Sequence, residues 1–532
     1  MMKASVIHHV WTLAGLLACG LTFLAPACGG TKVSNGFAAD TGPGVLGGDD
    51  SGGDGGNPSG PFGTGPGSGP GSDAAPPMHV CPSGLSCNTT CPGGGTTSIT
   101  GKVYDPAGKN PLYDVVVYVP EKDLTPLPRG VPTGGAACDC GALFASGAYT
   151  NTTTAVDGSF TLTDVPVGSN VPLVIQVGKW RRLFHVNVTA CGDNAQAAPL
   201  TFPSTVAASD TNDNIPDIAV STGYADTLEC LMLRIGISSS EYVAGNNVSG
   251  HVHIFSGGAN DGNDNYGQSE QPSMPGAPNS DTALWASQSQ LMPYDVTLLS
   301  CEGAETYDAN PPALEAYLNA GGRVFASHYH YSWFAGPISS GQSYSAPADW
   351  SNLATWAMEG SEDDGPIGGI IDTTLNSGSG SFAKGVALQK WLGIVGGLGQ
   401  NMVPATELSI FQPRYNATVA AANTPSQPWI TSDSSGQAGA TMYFSFDTPV
   451  QTAPLPPDSP GPTYCGRAVF SDLHVGGDPS TDDMPPPPGG CDNTDLSPQE
   501  KALEFMIFDL SGCVIPDTVP PPDAGIPTST PQ

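Results

Sequence analysis

Nucleophilic, basic and acidic side chains follow the apolar runs in the C-terminal half of this 532-residue chain. A hydroxyl or thiol becomes a nucleophile when an imidazole lies within hydrogen-bond reach and a carboxylate orients that imidazole. The residue types therefore suit hydrolysis. The candidates are Ser327 or Cys301 for the nucleophile, His474 or His328 for the base, and Glu302 or Asp472 for the orienting carboxylate, with Ser221, Thr222, Ser256 and His330 as further polar neighbours.

Histidines in this set could also hold a metal ion. Alternate residues of a strand share a face, so His328 and His330 point the same way, and His474 could complete a three-histidine site. His251 and His253 form a second pair, but they open their strand. Five strand residues span about 17 Å, which places that pair at the opposite edge of a sheet. Local hydrogen bonding is the favoured explanation of such histidines, and we expect neither a metal site nor a cofactor.

Alternating strand and helix patterns between residues 215 and 514 would position these side chains. Apolar runs such as 218–220 predict strands, and PPALEAYLNAGG, with Pro at its start and Gly at its end, predicts a helix. Asp226 is expected to cap the helix that follows the first strand. The alternation predicts a doubly wound α/β domain with a mostly parallel sheet and an insertion at about 335–440. Ligands of such sheets bind outside the C-terminal ends of the strands.

A different pattern occupies residues 97–200. SITGKVYDPAGKNPLYDVVVYVP alternates apolar and polar residues around a turn, which predicts an all-β sandwich. Gly101-x-Val103, Asp157-Gly158-Ser159-Phe160 and the V-P-x-G turn at 165–168 resemble a carboxypeptidase regulatory-like domain, a transthyretin-like sandwich related to the carbohydrate-binding-like folds. The resemblance implies an accessory module without catalytic residues. A polar linker at 201–214 follows it.

The later region resembles the class I glutamine-amidotransferase-like fold, including its trehalose-utilisation-type branch. The resemblance is carried by YDVTLLSCEG, LEAYLNAGGRVFASHYH and GRAVFSDLHV. It places the tight strand-to-helix turn at Ser327-His328, puts Cys301 on the loop that supplies oxyanion contacts, and matches His474 to the late histidine. The nucleophilic cysteine of that turn is absent. The resemblance therefore implies a degenerate fold with a binding or structural role.

The first residues indicate export. Residues 1–27 combine an early lysine, an apolar stretch and an A-x-A end, as a signal peptide does. Cys28 follows in a context that resembles a bacterial lipobox, with Cys19 as the alternative lipid-accepting residue. Residues 28–78 are rich in Gly, Pro, Ser and Asp and predict a disordered tether, as 515–532 predict a tail. We expect a lipoprotein on a bacterial membrane, with plain secretion as the alternative.

Charge and cysteine content narrow the function further. The chain carries 16 Lys and Arg against 49 Asp and Glu, a net charge of −33, which excludes nucleic acid as a partner. The 13 cysteines predict disulfides in an oxidising compartment, beginning with a knot in the Cys-rich segment 79–96 rather than a zinc site. Cys301 is expected to pair with another cysteine such as Cys230. Cys465, Cys491 and Cys513 are expected to staple the last strand and helix.

Two functions remain open at this point. The first is a non-catalytic surface lipoprotein that binds a glycan or a protein partner, with Tyr329, Tyr331, Trp333 and His330 as candidate ligand contacts. The second is an extracellular hydrolase at the C-terminal edge of the α/β sheet. The distance from the candidate nucleophile to the nearest histidine ring distinguishes these two functions, because a nucleophile more than about 5 Å from every histidine ring cannot be hydrogen-bonded to its base.

Overall fold

The computed structural model describes most of the chain beyond residue 79. The described residues are 80–133, 138, 140–223, 225–257, 274–338, 342–357, 366–400, 404–434, 437–452, 464–474, 488–489, 491 and 494–517. The predicted signal peptide and tether, with Cys19 and Cys28, lie outside them, as does most of the predicted tail.

Strands outnumber helices in the described part of the chain. The strands are β1 (Ser98–Tyr104), β2 (Val116–Pro120), β3 (Ala148–Thr153), β4 (Ser159–Thr163), β5 (Gly168–Val177), β6 (Trp180–Val188), β7 (Leu200–Thr201), β8 (Ile218–Ser221), β9 (Tyr242–Ala244), β10 (Val252–Phe255), β11 (Val296–Leu299), β12 (Arg323–Ser327), β13 (Thr355–Trp356), β14 (Ile367–Ile371), β15 (Leu408–Ile410), β16 (Ala417–Thr418), β17 (Ser426–Ser432), β18 (Thr441–Thr448) and β19 (Gly466–Ser471). The helices are α1 (Leu228–Arg234), α2 (Ser280–Ala283), α3 (Gln288–Leu291), α4 (Pro311–Asn319), α5 (Tyr331–Ala335), α6 (Ala383–Ile394) and α7 (Pro498–Ser511).

A ten-stranded mixed sheet dominates the C-terminal part, in the order β15-β14-β17-β18-β19-β12-β11-β8-β10-β9. The strands from β19 to β9 run parallel to one another. The other four are added antiparallel at the β19 edge. The prediction of a mostly parallel sheet was therefore too simple. The difference comes from residues 366–448. The Gly-containing run IGGII and two further runs form strands inside the predicted insertion, and β18, which follows it, runs antiparallel to β19.

Two smaller sheets are built from residues 98–201. One has the order β4-β1-β7 and the other β3-β2-β5-β6. Inward residues of both sheets, such as Ile99 and Phe160 in one and Val117 and Leu173 in the other, belong to a single apolar core. In β1 and β4, the alternation of buried and less buried positions places the apolar side chains on the side that faces this core.

Side-chain contacts join this segment to the ten-stranded sheet and to helix α7. Lys179 Nζ lies 2.6 Å from Asp295 Oδ1, directly before β11. The guanidinium of Arg129 bonds the Asp217 carboxylate, directly before β8. The ring of Phe508 on α7 packs 5.3 Å from that of Trp180. Helix α7 itself begins with a capping box formed by Ser497 and Glu500.

Disulfides tie distant parts of the chain together. They join Cys81 to Cys87, Cys91 to Cys191, Cys138 to Cys465 and Cys230 to Cys491, and Cys513 is disulfide-bonded as well. The expected pairing of Cys301 with Cys230 was wrong, because Cys230 is bonded to Cys491 and Cys301 carries a free thiol. Cys465 is bonded to Cys138, not to a partner near the last helix.

The disulfides indicate an extracytoplasmic protein. Within the described residues, no helix has the length and apolarity that crossing a membrane requires.

Candidate functional site

The predicted polar residues converge at one edge of the sheet, where the parallel strands end. β8 and β11 are in register from Ile218 opposite Val296 to Ser221 opposite Leu299. β12 and β19 end opposite each other at Ser327 and Ser471. The loops that follow these strands therefore meet. This edge also contains the point where the chain switches direction across the sheet, since β10 lies on one side of β8 and β11 on the other.

Asp226, in the loop after β8, is the centre of this edge. Its Oδ1 accepts a hydrogen bond from His474 Nδ1 at 3.0 Å. Its Oδ2 accepts from Ser327 Oγ at 2.5 Å and from the backbone N–H of Cys301 at 3.3 Å. The side chain is fully buried. Asp226 was predicted to cap the next helix, but the N-cap of α1 is Thr227, and the aspartate instead joins three separate loops of the rim.

Cys301, His328 and His474 form a compact group around Asp226, and we call these three residues the rim cluster. Cys301 Sγ lies 3.2 Å from His328 Nδ1. The rings of His328 and His474 are nearly perpendicular, with centroids 4.9 Å apart. One nitrogen of each ring and the sulfur all lie within 4.8 Å of one another. The metal site considered from the sequence joined His328 and His474 to His330 instead, and it did not include Cys301 as a metal ligand.

His328 holds a strained backbone position. It directly follows β12 and has a φ of +44°, in the left-handed region that non-glycine residues seldom adopt. Such a conformation costs on the order of 1–3 kcal/mol and persists only where the surrounding structure enforces it. It turns the chain sharply from β12 into a short 3₁₀ turn, His328–His330. The predicted tight turn is thus present at Ser327-His328, and an imidazole occupies its tip.

Burial controls the protonation of the rim. It raises the pKa of the Cys301 thiol well above its usual value, and the nearby charge of Asp226 acts in the same direction. The thiol is fully buried and is therefore neutral near pH 7. Ser327 Oγ is also fully buried, and it bonds the Asp226 carboxylate and the Leu299 carbonyl rather than an imidazole.

Glu302 and His330 form a looser pair beside the rim cluster. His330 Nε2 lies 3.8 Å from Glu302 Oε1, and its Nδ1 lies 3.0 Å from the carbonyl oxygen of Ser327. Burial lowers the pKa of His330 to about 4, so its ring is neutral near pH 7. The backbone N–H of Ser256 donates to the Pro278 carbonyl at 2.9 Å.

Other predicted side chains have structural hydrogen bonds. Ser221 Oγ lies 2.7 Å from Ser280 Oγ, and Thr222 Oγ1 donates to a carbonyl at the end of β10 at 3.2 Å. Asp472 Oδ2 accepts from the backbone N–H of Ala417 at 2.9 Å. Through these bonds the three residues shape the loops around the site.

The histidines of the other pair lie where β10 begins, at the opposite edge. His251 Nδ1 is 2.5 Å from Glu241 Oε2, and His253 Nε2 is 3.0 Å from Asp217 Oδ1. Both rings thus have local carboxylate partners and are separate from the rim cluster.

The aromatic residues that follow His328 mostly enter the core. Tyr331 is 1% exposed and its hydroxyl donates to Glu305 Oε1 at 2.5 Å. Trp333 is fully buried and its indole N–H donates to Thr306 Oγ1 at 2.9 Å. Neither ring offers a face to a ligand arriving from solvent. Tyr329 is half-buried and lies against His328, with ring centroids 4.1 Å apart.

No family model matches the chain, and no curated protein matches it. A solved cohesin–X-dockerin complex from Acetivibrio cellulolyticus is similar at 16% identity over 25% of this chain and 78% of that one, with a TM-score of 0.14. A cold-adapted β-galactosidase from Rahnella sp. R3 is similar at 9% identity over 56% of this chain and 31% of that one, with a TM-score of 0.24. Similarity this low supports no assignment of fold or function.

Proposed function

We propose that this chain is an exported lipoprotein, held at a bacterial membrane through Cys28, whose rim site binds a ligand without hydrolysing it. In this proposal, residues 97–200 form an accessory β-sandwich and residues 215–514 a degenerate amidotransferase-like α/β domain. The disulfides and the predicted signal peptide support export. The long Gly- and Pro-rich tether after Cys28 supports anchoring, because it would separate the folded part from the membrane surface.

One observation carries the non-catalytic role: the tip of the strained turn after β12 presents His328, where a nucleophile would have to stand. Ser327, one position earlier, is buried and donates its hydroxyl proton to Asp226. A serine nucleophile must instead give that proton to a base that can pass it on. The rim is therefore arranged to hold its groups in place rather than to transfer an acyl group through Ser327.

A thiol hydrolase is the second candidate, and the contact between Cys301 Sγ and His328 Nδ1 at 3.2 Å favours it. This distance meets the requirement for a nucleophile and its base. Burial opposes it, because Cys301 is fully enclosed and a substrate carbonyl would need a path to the sulfur.

Alkylation of Cys301 distinguishes the two roles. The mature chain is treated with iodoacetamide at pH 7, with and without denaturant and with disulfides intact, and the Cys301 peptide is quantified by mass spectrometry. A binding protein should label at Cys301 only after denaturation. Rapid native labelling that is lost in His328→Gln would support the thiol hydrolase and overturn the proposed function.

The anchor is tested on the same material. Mass spectrometry of the mature N-terminus should find a diacylglyceryl-modified Cys28, and Cys28→Ser should release the protein from the membrane fraction. An unmodified Cys28 would show a secreted protein instead.

A further inference from the structure

We infer that the rim cluster of Cys301, His328 and His474 is a binding site for a thiophilic transition-metal ion, Zn²⁺ or copper. The inference rests on the proposed binding role of the rim and names its ligand class. Neither the comparisons nor the sequence prediction assigns a metal to these three residues.

The spacing of the donor atoms fits such an ion. Zinc lies about 2.3 Å from sulfur and about 2.05 Å from imidazole nitrogen, so tetrahedral coordination separates S and N by about 3.5 Å. Cys301 Sγ and His328 Nδ1 are already 3.2 Å apart. Because all three donor atoms lie within 4.8 Å of one another, coordination requires side-chain shifts of about 1 Å.

Asp226 supplies the outer contact that metal-binding histidines usually have. A ligating histidine generally donates its second ring N–H to a carboxylate, which fixes the tautomer and orients the ring. His474 Nδ1 lies 3.0 Å from Asp226 Oδ1, and this contact leaves Nε2 as the coordinating atom. The same carboxylate accepts from the backbone N–H of Cys301, so one group orients two of the three ligands.

The backbone at His328 holds the third ligand. Its strained φ of +44° is maintained in the fold and presents the imidazole beside Cys301. Positions that store strain cluster at ligand sites, where a precise side-chain direction is needed.

The donor set selects the class of ion. A thiolate with two imidazoles favours Zn²⁺ or copper over hard cations such as Mg²⁺ and Ca²⁺, which prefer oxygen ligands. Three protein ligands leave a fourth position for water or for a group from another molecule.

The test uses the full mature chain, stripped of metal with a chelator and then titrated with Co²⁺, Zn²⁺ and copper. One equivalent should bind, and the Co²⁺ form should show a thiolate charge-transfer band that Zn²⁺ abolishes. Competition between Zn²⁺ and copper identifies the preferred ion. X-ray absorption of the wild-type protein should find one sulfur and two imidazole ligands. A first shell without sulfur, or no stoichiometric uptake of either ion, would overturn the inference.

Variants separate ligands from mere neighbours. Cys301→Ser removes the sulfur, and His474→Asn keeps a donor toward Asp226 while it removes Nε2. Each should weaken binding by more than about 100-fold, beyond the 10–100-fold expected of the outer contact in Asp226→Asn. His251→Asn, which makes the same change at the opposite edge of the sheet and keeps a donor toward Glu241, is the matched control and should bind as the wild type does. Equal affinity in Cys301→Ser and the wild type would contradict the site.

Failure of the metal site and failure of the proposed function give different results. If no metal binds and Cys301 also resists native alkylation, the metal inference fails and the proposed non-catalytic role is not contradicted. If Cys301 is alkylated in the native state and His328→Gln prevents it, the non-catalytic role itself is wrong.

Discussion

Glu229 on α1 should make the protein less stable as pH rises, and Glu229→Gln should remove that loss. The side chain is 2% exposed, and its Oε2 has no hydrogen-bond partner among the described residues. Burial raises the pKa of Glu229 to about 8, and the charge of Asp226 adds to the effect. The folded protein therefore keeps this carboxyl protonated near pH 7, where the unfolded chain releases the proton.

The magnitude follows from the difference between the two pKa values. Because the folded state holds the proton more tightly, the stability is fully present below about pH 4.5 and is lost as pH rises toward 8. One pKa unit corresponds to about 1.36 kcal/mol. pH 7 is about 2.5 units above the pKa of the carboxyl in the unfolded chain. Ionisation of Glu229 in the unfolded chain therefore lowers the free energy of unfolding by about 3 kcal/mol at pH 7.

Urea unfolding at a series of pH values, with disulfides intact, measures this term. The advantage of Glu229→Gln over the wild type should grow from near zero at pH 4 to about 3 kcal/mol at pH 7. Glu315→Gln makes the same chemical change at a half-exposed position on α4 and should show a smaller dependence on pH. A difference between Glu229→Gln and the wild type that stays constant from pH 4 to 8 would refute the reasoning.

Two further predictions concern the framework. Replacing Cys138 and Cys465 by Ser removes a disulfide that joins residues 327 apart in sequence. The intact Cys230–Cys491 disulfide shortens the path between them to about 120 residues, so in the chain-entropy model the loss destabilises by about 2.7 kcal/mol more than opening the six-residue Cys81–Cys87 disulfide. Thermal unfolding should show the difference in the melting temperatures. Gly223→Ala places a Cβ 2.2 Å from the carbonyl oxygen of Cys301 and should destabilise by roughly 1–3 kcal/mol, whereas Gly192→Ala, which meets nothing within 4 Å, should be neutral in the same assay.

The sequence located the rim through a general property of parallel sheets. Buried parallel strands are short apolar runs, and the polar residues that end them must meet at one edge. That property was sufficient to bring Cys301, His328 and His474 into one set of candidates. The antiparallel strands at 366–432 could not be found in the same way, because IGGII contains two glycines, LSI is three residues long and SQPWITS contains a proline, and none of these runs has a clear apolar period.

Asp226 shows what one-dimensional reasoning could not find. An aspartate directly before a helical pattern satisfies the rule for a helix cap, and nothing local distinguishes a cap from a side chain that turns inward. Its position after the first strand, at the switch point of the sheet, was the one signal that favoured a role in the site. The disulfides were beyond reach for a similar reason, since Cys138 and Cys465 are brought together by the whole fold.

Asp226 also links the two candidate functions of the rim through charge. A bare Cys301 thiolate would place a second negative charge beside a buried carboxylate, and that arrangement is costly where water is excluded. A divalent ion bound to the same thiolate leaves a net positive charge, which the carboxylate would stabilise. The residue that opposes a free nucleophile at Cys301 therefore favours a metal ion there, and His474, oriented by Asp226, completes the same site.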